Sequence, residues 1–158
     1  MSLFRFEDLV IWQRGIKIGH TLVDIADRLE RQHKYKFAEQ LRNAALSISN
    51  NISEGGGSRS KREFAHFVNI AKRTTFENAN MVIFFAQRDL IAKEEKVTLL
   101  KELATEARML ESFRKSLIKI HKKQSDGSNL PPSARVFHAP RSLPRAPCFL
   151  THVDTRFD

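Results

Sequence analysis

The chain has 158 residues, enough for one domain with a single core and too few for two ordinary domains. Its 27 Lys and Arg against 18 Asp and Glu give a net charge of +9, which favours an anionic partner such as nucleic acid or an acidic protein surface. The one cysteine, Cys148, excludes an intramolecular disulfide framework and a thiolate zinc site. Without an apolar window of about 18 residues or a signal-peptide core, we expect no membrane contact and a cytoplasmic location.

The five prolines divide the chain, because all of them follow residue 130. Proline removes a backbone donor and clashes inside a helix, so a long proline-free stretch favours helices. Residues 124–158 lack a helical or strand period, and we predict an irregular or disordered tail there, after a helical bundle of residues 1–123. The charge belongs to the bundle, whose 23 basic and 15 acidic side chains give +8.

The periodicity of hydrophobic residues, together with the turn and capping residues between periodic segments, predicts four helices, over about residues 7–31, 36–54, 60–90 and 93–123. Gly55–Gly57 should end the second helix, because glycine accepts the left-handed conformation that a C-cap needs. Ser60 and Glu63 fit a capping box at the start of the third. Short joints and no strand pattern predict an all-α fold, an antiparallel up-and-down four-helix bundle.

Two helices have more apolar surface than the surface helix of a monomer needs. The first has an apolar arc of roughly 180°, with Arg14 and Arg28 on its polar side, and Met81–Ala86 in the third is apolar all round. We therefore expect self-association, the alternative being a thick core shielded by a long joint. The predicted inward face of the fourth helix contains Val97, Leu100, Leu103, Ala104, Ala107, Leu110, Phe113, Leu117 and Ile118.

Three segments occur in order within residues 4–120: Phe6–Gln13, Gln40–Gly55, and Glu63–Glu77. They resemble the signatures of a four-helix bundle family also called 23S ribosomal RNA intervening-sequence proteins. The resemblance implies a ring-shaped homopentamer, no enzymatic activity and no cofactor. It also implies kinship with the accessory protein of diversity-generating retroelements, which binds a reverse transcriptase and nucleic acid.

A polar ladder lies beside the apolar face of the second helix, within an arc of about 60° at 100° per residue. Its members are Gln40, Ser47, Asn51 and Glu54. One interpretation is a ligand or metal site inside the bundle; the other is that these groups fix helix register, with Glu54 paired to a basic or backbone donor. The family resemblance marks Asn51, Glu54 and Glu77 as signature positions and assigns them no chemistry.

Two Glu-x-x-His pairs raise the possibility of a carboxylate metal enzyme, Glu30 with His33 and Glu63 with His66. His66 falls on the predicted solvent side, and the first pair lies in a polar helix end. We therefore expect no metal site, and no enzyme.

A basic stripe is predicted on the fourth helix, where cations recur every seven residues with one more between the last two. It consists of Lys101, Arg108, Lys115, Lys119 and Lys122. These side chains project within about 60° over about 30 Å, a shape that can follow phosphates. The alternative is an ordinary solvated face, since Glu111 can pair with Lys115. No aromatic residue accompanies the stripe, so base-specific recognition is not expected.

The start of the third helix is a second, weaker candidate for anion contact, with Arg59, Lys61 and Arg62 beside free amides. Gly55–Lys61 lacks the spacing of a phosphate-binding loop. The sequence therefore favours a non-catalytic, oligomeric binding or scaffold protein that contacts RNA or DNA electrostatically. The alternative is a protein-interaction module that docks a partner such as a reverse transcriptase and binds no nucleic acid itself.

Overall fold

A computed structural model describes the backbone of residues 2–126 and the side chains of residues 2–120. After a 3₁₀ turn at Arg5–Asp8 come four helices: α1, Val10–Arg31; α2, Tyr35–Gly56; α3, Lys61–Gln87; and α4, Lys93–Asp126. Each helix packs on the next in the chain, and α1 and α4 contact each other least. The predicted up-and-down bundle is confirmed. Helix α4 reaches Asp126, three residues beyond its predicted end at 123, and residues 127–158 of the predicted tail lie outside the described residues.

Left-handed residues that are not glycine close α1 and α3. His33 has φ 60° and Asp89 has φ 54°. In each case the next amide, of Lys34 or Leu90, donates to a carbonyl in the last turn of the helix at 2.9 Å. This is the Schellman arrangement. It ends α3 at Gln87, before the predicted end near residue 90.

The prediction of a left-handed C-cap at Gly55–Gly57 is wrong. The first two glycines lie inside α2, and Gly57 has φ −85°. Gly55 is instead required by close packing, because a Cβ there would lie 2.4 Å from Cδ2 of Phe64 and 2.9 Å from Cβ of Phe67. The missing side chain lets α3 begin directly against the end of α2.

Ser60 caps α3 as predicted, and its Oγ accepts a hydrogen bond from the amide of Glu63 at 3.1 Å. The reciprocal bond is displaced by one residue, because the Glu63 carboxylate accepts from the amide of Arg59 at 3.1 Å. Two of the free amides at this joint are thereby satisfied.

The inward face of α4 follows Leu99, Leu103, Leu110 and Leu117, all buried. The predicted inward positions Val97 and Ala104 are exposed, because α3 covers α4 along a line rotated from the one that sequence periodicity suggested. Among the remaining predicted positions, Phe113 and Ile118 are half-buried. The rotation turns one polar residue, Glu106, into the core.

The glycine packing predicts a contrast between neighbouring positions. We expect Gly55→Ala to lower the free energy of unfolding by about 2 kcal/mol, because its methyl group overpacks the Phe64 and Phe67 contact. Gly57→Ala is the control: its Cβ would meet only the Glu54 carbonyl oxygen, at 3.5 Å, and its φ suits alanine. We expect a change within about 1 kcal/mol, toward higher stability. Urea unfolding of both variants checks this; equal losses would contradict the packing role of Gly55.

Candidate nucleic-acid interface

The basic stripe lies on the side of α4 opposite the core. Lys101, Arg108, Lys115 and Lys119 are all exposed, while the leucines on the other side of the helix are buried. Lys122 belongs to α4, but its side chain lies outside the described residues. The helix therefore presents four described cations to water along one face.

The carboxylate expected to neutralise this stripe is bound elsewhere. Glu111 accepts hydrogen bonds at 2.8 Å from both Lys72 and Arg114, whereas Lys115 Nζ lies 4.0 Å away. These hydrogen bonds, that of Arg114 first, lower the pKa of Glu111 to about 2. Arg108 donates to the hydroxyl of Thr105 at 3.0 Å. The charges of Lys115 and Arg108 therefore remain available to an anion.

The cations at the start of α3 lie at the same end of the bundle as residues 113–120 of α4. Arg59, Lys61 and Arg62 are exposed, and the first two line a cavity together with Arg5 and Ile120. Sequence reasoning missed Arg5. The one available signal was the antiparallel topology, which brings the N-terminus beside the joint between the second and third helices.

The polar ladder is divided by the structure. Ser47 and Asn51 are half-buried, and the Asn51 amide donates to the Ser47 carbonyl at 2.7 Å and to its hydroxyl at 3.1 Å. The Ser47 hydroxyl lies 3.3 Å from that of Thr74 on α3. This part of the ladder links α2 to α3, as the structural interpretation expects.

The remaining signature residues do not join that network. Gln40, Glu54 and Glu77 are exposed, so the expectation of a partly buried ladder is wrong for Gln40 and Glu54. Gln40 and Glu77 line one shallow depression with Ser47.

The two Glu-x-x-His pairs make other contacts. Glu30 forms an ion pair with Arg42, and His33 Nδ1 lies 2.8 Å from the Tyr35 hydroxyl. His66 is exposed, as predicted, and Glu63 caps α3. Across the part of the chain that the structure describes, no three His, Cys, Asp or Glu side chains cluster as a metal site needs.

An ion pair in the narrow contact between α1 and α4 escaped the sequence analysis. Arg14 Nε lies 3.2 Å from Oε2 of Glu106, whose side chain is 0% exposed. Burial raises the pKa of Glu106 to about 7, although Arg14 opposes the shift. A second pair, Arg28 with Glu95 at 2.6 Å, spans the same two helices.

Glu106 could have been found from its spacing, because it lies three residues after Leu103 and four before Leu110, both inward. Arg14 and Arg28, assigned to the polar side of the first helix, in fact contact α4.

The sequence matches one protein family, and the fold is similar to that of a solved structure. The family model described as 23S rRNA-intervening sequence protein matches residues 7–112. A crystal structure of a protein of unknown function, from the S23 ribosomal protein family of Bacteroides thetaiotaomicron VPI-5482, has a TM-score of 0.64 at 20% identity, covering 67% of this chain and 99% of that one. At this identity the likeness concerns the fold alone. No curated protein matches the chain.

A membrane-spanning helix is not found within residues 2–126, where no helix combines the necessary length and apolar character.

The buried carboxyl group predicts a dependence of stability on pH. The pKa of Glu106 is raised from 4.5 to about 7 in the folded chain, so the native state holds a proton that the unfolded state has released. The contribution of this group to the free energy of unfolding is present in full below about pH 4.5. It is lost as the pH rises through about 7, by about 1.4 kcal/mol per pH unit. We expect urea unfolding to show this decline in the parent and a flatter profile in Glu106→Gln.

The control for that experiment is Glu102→Gln, which removes an exposed carboxylate from the same helix. It should keep the decline of the parent protein. Parallel profiles for the parent and Glu106→Gln would show that Glu106 does not titrate in this range.

Proposed function

The chain belongs to the 23S rRNA-intervening sequence protein family, and on that premise we propose that it is a non-catalytic binding protein whose basic stripe contacts RNA or DNA. One observation carries this proposal: four cations lie exposed on the face of α4 opposite the core, and Glu111, the carboxylate 4.0 Å from Lys115, accepts hydrogen bonds from Lys72 and Arg114. A rigid row of cations can neutralise successive phosphates and release their counterions.

The cations at the start of α3 extend the proposed surface at one end of the bundle. Arg59, Lys61 and Arg62 add three charges there, close to the end of the described part of α4. Contact with phosphates gives affinity without sequence information, so we expect strong dependence on salt and little preference for base sequence along the stripe.

Self-association is the second part of the proposal. Phe76 is 63% exposed and Val97 is 49% exposed, and Ile83 and Phe84 also reach the surface of α3. Phe76 lines a groove of about 510 Å³ between α3 and α4, with Ala79, Leu100 and Ala104 beside it. Burying this groove against another copy would remove apolar surface from water. The ring-shaped homopentamer implied by the family resemblance is the form we propose.

The same groove favours a second candidate function, docking of a protein partner such as a reverse transcriptase without direct contact to nucleic acid. An exposed apolar groove suits either occupant. The two candidates differ in what the basic stripe does, and binding of nucleic acid by the isolated protein separates them. For either role we propose a cytoplasmic location, in keeping with the single cysteine.

Removing the stripe should abolish salt-dependent binding. We expect the variant with glutamine at Lys101, Arg108, Lys115 and Lys119 to lose affinity for RNA and DNA and to reduce the slope of log K against log salt by about 3, because four phosphate contacts disappear. Fluorescence anisotropy over a salt series measures this, and circular dichroism checks that helix content is unchanged.

A matched control removes the same net charge from outside the stripe. It carries glutamine at four exposed positions of α1, α2 and the joint between them: Lys17, Arg31, Lys34 and Lys36. We expect its slope to stay within about 1 of the parent. Equal slopes for the two quadruple variants would show that the stripe is an ordinary solvated face. If the parent protein binds no nucleic acid, the docking candidate is favoured.

Self-association has its own test. We expect Phe76→Ser to lower the molar mass measured by light scattering at micromolar concentration, because it removes the most exposed aromatic ring of the groove. The control, Asn80→Ser, changes an exposed residue of α3 that does not line the groove and should leave the mass unaltered. A monomeric parent protein would overturn this part of the proposal.

A further inference from the structure

A cavity of about 630 Å³ opens at the end of the bundle where α2 meets α3. We call it the joint cavity. It is framed by the N-terminal 3₁₀ turn, by the joint between α2 and α3, and by residues 113–120 of α4. Its size suits one small organic ligand. It borders the basic stripe without including it, because Phe113 and Leu117 face the cavity from a different side of α4 than the lysines occupy.

Aromatic rings form two of its walls. Phe64 and Phe113 meet edge to face, with ring centroids 5.3 Å apart. Phe6 also lines the cavity and packs against Phe4, at 5.5 Å, and Trp12, at 5.3 Å. The rings are fixed by their neighbours and need little ordering before a flat apolar group can pack against them.

The charge of the cavity has one sign. Arg5, Arg59 and Lys61 line it from two separate segments, and its described lining contains no carboxylate. Two of the hydroxyls there already donate within the protein: Ser58 to the Gly55 carbonyl at 2.6 Å, and Ser116 to that of Phe113 at 2.7 Å. The third, of Ser60, accepts from the Glu63 amide at 3.1 Å. The guanidinium and ammonium groups are the charged donors that a ligand would meet, and they favour an anion.

These two properties together select the class of ligand. An inorganic anion would pair with the cations but make no stacking contact with the aromatic rings. An acyl chain would pack on the rings but would not pair with the three cations. We propose that the joint cavity binds a single nucleotide, with its phosphate at Arg5, Arg59 and Lys61 and its base against Phe64 and Phe113. Bases stack on aromatic rings with little regard to sequence, and arginine suits phosphate.

The inference rests on the proposed function, since a bound strand supplies such a nucleotide at its phosphorylated end. The stripe then follows the strand while the joint cavity holds its terminus. A free mononucleotide presents the same chemistry, and the experiment separates the two sources.

Isothermal titration calorimetry of the full chain with adenosine 5′-monophosphate, adenosine and inorganic phosphate tests the cavity. We expect the monophosphate to bind at least about tenfold more tightly than either fragment. Arg59→Gln with Lys61→Gln should weaken it about tenfold or more. Phe113→Leu should weaken it about fivefold and leave the affinity for phosphate unchanged. A monophosphate that binds no better than phosphate overturns the proposal, as does dodecyl phosphate binding more tightly than the nucleotide.

The matched control carries Lys34→Gln with Lys36→Gln, two exposed cations outside the cavity, and should bind the monophosphate as the parent does. Equal loss in the two double variants would show a general effect of charge and overturn the site. Circular dichroism and urea unfolding establish that each variant folds.

Oligonucleotides with and without a 5′-phosphate identify the source. A preference of the parent for the phosphorylated end, lost in Arg59→Gln with Lys61→Gln, supports capture of a strand terminus; monophosphate binding without that preference overturns it in favour of a free nucleotide. If strands bind through the stripe but the monophosphate does not bind, only the cavity proposal is overturned. Monophosphate binding without any strand binding overturns the proposed function alone.

Discussion

Helix α4 can turn only one side toward the core, and this constraint determines most of the surface that the protein offers to a partner. Burying Leu99, Leu103, Leu110 and Leu117 fixes the rotation of the helix. Because Lys101, Arg108 and Lys115 repeat at the same seven-residue interval as Leu103, Leu110 and Leu117, these cations are turned to water together. The same rotation brings Phe113 to the joint cavity. Packing of apolar residues thus sets the position of the charges.

The same rotation of α4 is also unfavourable in one respect, because it buries a carboxyl group at the contact between α1 and α4. Glu106 occupies an inward position of α4 and depends on a single ion pair with Arg14. Removing a carboxylate from water is unfavourable even when a partner is present, and the raised pKa expresses this penalty. The contact between the first and last helices is the least extensive between neighbouring helices of the bundle, and the pairs of Arg14 with Glu106 and of Arg28 with Glu95 both cross it.

The joint between α2 and α3 shows how one close contact can shape a larger surface. Gly55 allows Phe64 and Phe67 to lie against the backbone of α2, and Phe64 then becomes a wall of the joint cavity. Arg59 and Lys61 follow the same turn, so an aromatic wall and two cations are positioned together. The bundle thus presents a basic stripe, a cavity with aromatic and basic walls, and an apolar groove beside Phe76 that Arg108 of the stripe also lines.

The sequence by itself determined four helices, their antiparallel order, the cap at Ser60 and the outward position of the stripe. These follow from interactions between residues close in the chain, whose spacing is visible in a single sequence. Only the tertiary structure decided that Arg14 pairs with Glu106, that Glu54 is exposed, and that Gly55 serves packing rather than a left-handed turn. It also brought Arg5 to Arg59 and Lys61. Burial and long-range contact depend on where neighbouring helices lie, and the period of one helix does not contain that information.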